Sequence, residues 1–165
     1  MVAYFVIGPE SSGTRMMCEA IIRSTGAEGS YTDGQPFDDL NFAGRSDKIV
    51  FRRSVPHGAI WYDLEALYAK LGAAGYAVEV VATDRDKTYM APSQVKHGHV
   101  RSIAESLENI HRARKQIDEF IQGKPNVQVQ YENFVNDESY RHVIYAALGI
   151  DAPEMEFFDG NKRYR

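Results

Sequence analysis

The sequence predicts an α/β protein built on a mainly parallel sheet of four to five strands with helices on both faces. Short β-branched and aromatic runs alternate with helix-period segments four times along the chain, the order that gives parallel strands joined by crossover helices. The first run is apolar at nearly every position, as a strand buried on both faces must be. It ends at Gly8, and Gly13 follows just before a helical pattern begins, the layout of a strand, an anion-binding loop and a helix N-terminus.

Strand one is VAYFVIG, residues 2–8. From Thr14 the pairs Met16/Ala20 and Met17/Ile21 recur at helical spacing until Gly26 stops the pattern. Residues 25–47 are rich in Gly and Asp and hold no period, so they form a long irregular excursion. KIVFRR is strand two and runs into SVPHG; Leu64, Leu67, Tyr68 and Leu71 then mark a helix closed near Gly72 and Gly75. YAVEVVAT is strand three. Val100, Ile103, Leu107, Ile110, Ile117 and Phe120 place one stripe along a long helix, and VQVQY alternates as a fourth strand. Tyr140, Val143, Ile144, Ala147 and Leu148 form a last helix ending at Gly149, and the tail from Asp151 is aromatic and basic.

With 165 residues, 18.6 kDa and 44% hydrophobic residues, the chain suits one domain, 1–165, with a single core. A net charge of −4 and a pI near 5.7 supply no global field for nucleic acid or an anionic membrane, so an anion site must be local. Cys18 is the single cysteine and cannot form an internal disulfide; no window approaches the roughly 18 apolar residues of a membrane span. No basic leader precedes the first apolar run, so a cytoplasmic protein is expected. The oligomeric state is not legible.

The stretch VIGPESSGTRMM, residues 6–17, keeps the glycine frame of the nucleotide loop GxxxxGK[ST] and changes its end, which makes the expected fold P-loop NTPase-like. Thr14 stands at the lysine position and Arg15 at the magnesium-binding hydroxyl. Arginine cannot ligate a cation, but its fork of donors suits an anionic oxygen at a helix start. The loop therefore reads as an anion site without metal, with Ser11, Ser12, Gly13, Thr14 and Arg15 as its members. Pairing of Arg15 with Glu19 one turn on is the structural alternative.

These residues resemble the 5′-phosphosulfate loop of sulfotransferases, whose donor is 3′-phosphoadenylyl sulfate (PAPS). That family also carries an arginine at the end of a later strand and a serine eight residues on, both on the donor's 3′-phosphate; TDRDKTYMAPS places Arg85 and Ser93 there. VQYENFVNDESYRHVIYAALGI is similar to the family's strand, Tyr-Glu-Asp-like turn and helix, so the likeness runs from residue 2 to about 150. The resemblance implies PAPS as donor, adenosine 3′,5′-bisphosphate as product and no metal. It also implies a small-molecule or glycan acceptor shaped by residues 25–47 and 54–63. Basic C-terminal loops of the family make Lys162 and Arg163 candidate ligands.

The chain departs from the family in two places. Many members have a lysine where Ser11 stands, leaving Arg15, Arg52 or Arg53 to supply the charge. Cytosolic members end strand two with Lys-Thr-His-Leu-Pro, whereas RRSVP puts Ser54 at the histidine's place. His57, in the same turn, carries an imidazole suited to proton transfer and is the expected base, with Glu10 as second candidate. His97 and His99, two apart, would face apart on a helix and make no metal site. Arg114 reads as a snorkelling arginine at a helix edge. Two other readings stay open: a P-loop kinase for a nucleotide or small molecule, with Asp84 holding magnesium for Mg-ATP, and a nucleotide-binding module without turnover.

Overall fold

The computed structural model describes residues 1–29, 41–42 and 44–164. Its elements are β1 (Val2–Pro9), α1 (Thr14–Thr25), β2 (Lys48–Val55), α2 (Leu64–Ala73), β3 (Ala77–Asp84) and α3 (Lys87–Lys96), then α4 (Ile103–Ile121), β4 (Asn126–Gln130), α5 (Tyr131–Asn136), α6 (Glu138–Leu148) and a 3-10 turn, Gly160–Tyr164. Among the described residues the sheet has four strands, all parallel, in the order β2-β1-β3-β4. The chain leaves β1 for β2 on one side and returns to β3 on the other. The C-terminal ends of β1 and β3 thus flank a topological switch point, where open parallel sheets collect ligands.

One face of the sheet packs under α2 and α4 through Phe5, Ile7, Phe51, Leu71, Ile117 and Phe120; the other packs under α1 and α6 through Val6, Val81, Met17, Ile21, Ile144 and Leu148. Burial of β1 on both faces explains its unbroken apolar run, each large side chain contributing about 1.5–3 kcal/mol. Capping fixes the helix ends: Asp63 accepts from the Ala66 N–H, Ser102 from Glu105 and Asp137 from Tyr140, while Gly26 ends α1 at φ 67°. Among the described residues no helix is long and apolar enough to cross a membrane.

Four local expectations change. The segment after Arg85 is a helix, α3, capped by Asp86, whose carboxylate accepts from the Thr88 N–H; Pro92 inside it hides the periodicity. Val100 precedes α4, and Ile103 and Leu107 are 46% and 40% exposed, because the buried stripe of α4 runs instead through Ser106, Ile110 and Ala113. Tyr131 opens a short helix rather than closing a strand. The tail folds back as a 3-10 turn. Most of the predicted excursion at 25–47 lies outside the described residues.

Candidate anion site

The loop after β1 is shaped by two left-handed residues, Ser11 at φ 69° and Gly13 at φ 99°. Such alternation curls the backbone tightly over the head of α1. Gly13 caps α1 with no side-chain acceptor, and the first turn carries no acid, so the helix start is left for an anion. Ser12 is wholly buried: its N–H donates to the Pro9 carbonyl at 3.0 Å and its hydroxyl pairs with Thr83 Oγ1 at 2.7 Å. Thr83 in turn donates to the Ile7 carbonyl at 3.3 Å. This clasp explains Gly8, since a Cβ there would sit 2.3 Å from both hydroxyl oxygens. Ser12 thus holds the loop onto β3 with both its polar groups turned inward. Thr14 is buried and Arg15 exposed at the head of α1, and Glu19 is engaged by Arg23 at 2.8 Å.

Arg85, just past β3, is joined to this loop. Its Nη1 donates to the Ser11 carbonyl at 3.0 Å and its Nε to Asn161 Oδ1 at 2.7 Å, and the guanidinium lies 4.7 Å from the Tyr131 ring centroid. Arg85 is 7% exposed, and its Nη2 is buried with no hydrogen-bond partner among the described residues. A buried donor without an acceptor marks where an anion would be taken up. Tyr131 also bears on the loop, its ring edge 2.6 Å from where a Gly13 Cβ would stand. Ser93 is buried within α3 rather than at its start. Its neighbour Gln94 donates to the Glu10 carbonyl at 2.6 Å and accepts from Ser106, so α3 is tied to the loop.

At the other side of the loop, Glu10 is 6% exposed and faces two imidazoles, His57 Nδ1 at 3.6 Å and His99 Nδ1 at 3.3 Å, both from the same oxygen, Oε1. Burial pushes the Glu10 carboxyl above the usual carboxylate value, against the opposing pull of His57, the Gly58 N–H and Arg52. Burial likewise holds His99 below the ordinary histidine value. Arg52 is half-buried on β2, close enough to Glu10 and Cys18 to oppose the effect of burial on both; the Cys18 thiol is nonetheless pushed up to about 12 by burial. Arg53 faces the other side of the sheet, stacked 4.2 Å over Phe51. Ser54 is buried opposite Gly8.

The structure thus brings together Ser11–Arg15 and Arg85, and separately Glu10 and His57. Lys162 and Arg163 are exposed on the same turn that presents Asn161 to Arg85. Asp84 is held by Arg114 through both oxygens, at 3.1 and 2.9 Å, and Arg114 also donates to the Arg85 carbonyl. Arg114 is therefore an ion-pair partner rather than a snorkelling stem, and it engages both oxygens of the carboxylate that a kinase would turn to magnesium. Among the described residues no group of three or more His, Cys, Asp or Glu is placed to hold a metal ion. Sequence reading missed Tyr131, Asn161 and His99. For His99 a signal existed: Gly98 takes φ 72°, so His97 ends α3 and His99 lies beyond the turn, with the two rings 6.1 Å apart rather than on opposite helix faces.

No protein-family model matches the chain, and no curated protein matches it by sequence. Among solved structures it is similar to mouse sulfotransferase SULT7A1 complexed with PAP, at 15% sequence identity and a TM-score of 0.57. The match covers 93% of this chain and 60% of that one. The chain therefore has a sulfotransferase-like fold while spanning about three fifths of that neighbour's length.

Proposed function

We propose that this protein is a sulfotransferase that moves the sulfuryl group from PAPS to a hydroxyl or amine of a small-molecule or glycan acceptor. One observation carries the reading: Arg85 is fastened to the Ser11 carbonyl of a loop that has no lysine, and it keeps a buried, unpartnered Nη2 beside that loop. Such a pair of anion sites, one at a helix start and one at an arginine after the neighbouring strand, fits a nucleotide with phosphates at both 5′ and 3′ positions. The donor supplies an activated S–O bond, and everything else falls to the chain. The loop backbone at Ser11, Gly13 and Thr14 and the Arg15 side chain would hold the 5′ end and stabilise charge on the leaving phosphate oxygen. Arg85, with Ser93 on α3, would hold the 3′-phosphate; Lys162 and Arg163 would add positive charge from the tail.

On the acceptor side, Glu10 faces His57 Nδ1 and leaves Nε2 as the base. As the acceptor oxygen or nitrogen bonds to sulfur, the S–O bond to the 5′-phosphate breaks, its electron pair stays on the phosphate, and the acceptor proton passes to His57 Nε2. Arg52, on the same side as Glu10, offsets the negative charge gathered there. The acidic net charge gives no support to a nucleic-acid or membrane partner, and the cytoplasm is the proposed compartment.

The test is a thermal-shift comparison of adenosine 3′,5′-bisphosphate (PAP) in EDTA with ADP in magnesium, followed by turnover of PAPS against a panel of acceptors. Stabilisation by PAP that is indifferent to EDTA supports the reading. A magnesium requirement with preference for ADP would overturn it in favour of a kinase, and PAP binding without turnover of any acceptor would leave a binding module.

A further inference from the structure

Asn161 sits in a tail of charged and aromatic residues, yet it is 1% exposed. Its Oδ1 accepts from Arg85 Nε at 2.7 Å, and its Nδ2 donates to Glu132 Oε1 at 2.9 Å. Glu132 is itself held by the Asp86 N–H at 3.2 Å and by Gln130 Nε2 at 2.6 Å. The turn that carries Asn161 is pinned by the Tyr131 hydroxyl, which accepts from the Gly160 N–H at 2.9 Å and donates to the Phe158 carbonyl at 3.1 Å. A guanidinium is planar, so fixing Nε on Asn161 and Nη1 on Ser11 fixes the plane and the direction of the remaining nitrogen. That nitrogen, Nη2, is the buried donor without a partner among the described residues.

We propose that Asn161 is a positioning residue for anion binding: by accepting from Arg85 Nε while Glu132 anchors its own amide, it aims Nη2 at the 3′-phosphate and makes the C-terminal turn part of the nucleotide site. This rests on the donor reading given above. It differs from a tail that contributes only the charges of Lys162 and Arg163, because Asn161 is neutral and acts through Arg85. The tail therefore controls which nucleotide is preferred as well as how tightly it is held.

The experiment measures Kd for adenosine 3′,5′-bisphosphate and for adenosine 5′-phosphate, by calorimetry on the full chain, and takes their ratio as the 3′-phosphate preference. Asn161→Ala should lower that preference roughly fivefold to tenfold, the effect of loosening one charge-assisted partner of the guanidinium. In an Arg85→Ala background the same substitution should change it no further, since the arginine it acts through is gone. A purely structural role would weaken both nucleotides equally and leave the ratio unmoved, which would overturn the assignment, as would a ratio that rises. If Asn161→Ala does not fold, Glu132→Ala, which releases Asn161 from its other anchor, should lower the preference and takes its place; an unchanged ratio there is equally fatal. A wild-type protein with no preference for the bisphosphate overturns the donor reading and this inference together, whereas a wild-type preference retained in Asn161→Ala overturns only the inference.

Discussion

Replacing Ser12 by alanine should cost stability and spare the nucleotide. The Ser12 hydroxyl is fully buried, 2.7 Å from Thr83 Oγ1, and Thr83 already directs its proton to the Ile7 carbonyl, so Ser12 is the donor of the pair. Ser12→Ala leaves Thr83 its own acceptor and removes one neutral hydrogen bond, about 1 kcal/mol, or roughly 2–4 °C in Tm for a chain of this size. Thr83→Val strands the fully buried Ser12 hydroxyl without its partner and should cost about 1–3 kcal/mol. In the double variant both polar groups are gone, so its loss should fall short of the sum by about 1 kcal/mol. Urea unfolding of the four proteins gives this cycle, and titration with adenosine 3′,5′-bisphosphate gives the binding side, where Ser12→Ala should stay within about threefold of wild type because its N–H and hydroxyl both serve the protein. Additive stabilities within about 0.5 kcal/mol, or a loss of affinity of about tenfold at unchanged stability, would show that the hydroxyl faces the ligand instead.

Glu10→Gln should stabilise the protein at neutral pH. Burial raises the Glu10 carboxyl above its ordinary value of 4.5, so the folded state binds the proton more tightly, and the stability gained from it is full below that value and lost as pH rises through the folded one. A pH series of unfolding curves should show that decline in wild type and a flatter profile in the variant; parallel profiles would refute it. Gly13→Ala, at φ 99° with its Cβ 2.6 Å from the Tyr131 ring, should cost about 2–4 kcal/mol and abolish nucleotide binding. Gly26→Ala, at φ 67° with open space around it, should cost only about 1 kcal/mol, and equal losses at the two sites would deny the Tyr131 contact. His57→Ala should cut turnover about 100-fold with donor affinity intact, as judged by kcat and by nucleotide titration; wild-type turnover would remove the imidazole from the proton path.

The sequence by itself determined the α/β class, the strand-loop-helix at Gly8–Gly13 and the spacing of Arg85 and Ser93, because apolar periodicity and turn glycines act between near neighbours along the chain. It could not show α3, whose short apolar stripe is interrupted by Pro92, nor that Val100 lies before α4, since a stripe does not reveal where a cap begins. The contacts that give the site its character join distant residues: Ser12 to Thr83, Arg85 to Asn161, Glu10 to His57 and His99, Asp84 to Arg114. Those pairs follow from the order β2-β1-β3-β4 and its register, which place the ends of β1 and β3 side by side and let the tail return over Arg85. Ser12 shows the difference most plainly. In the sequence it is one hydroxyl among three in a phosphate loop; in the fold the clasp to Thr83 turns it inward, because a fully buried hydroxyl must satisfy its hydrogen bond within the protein.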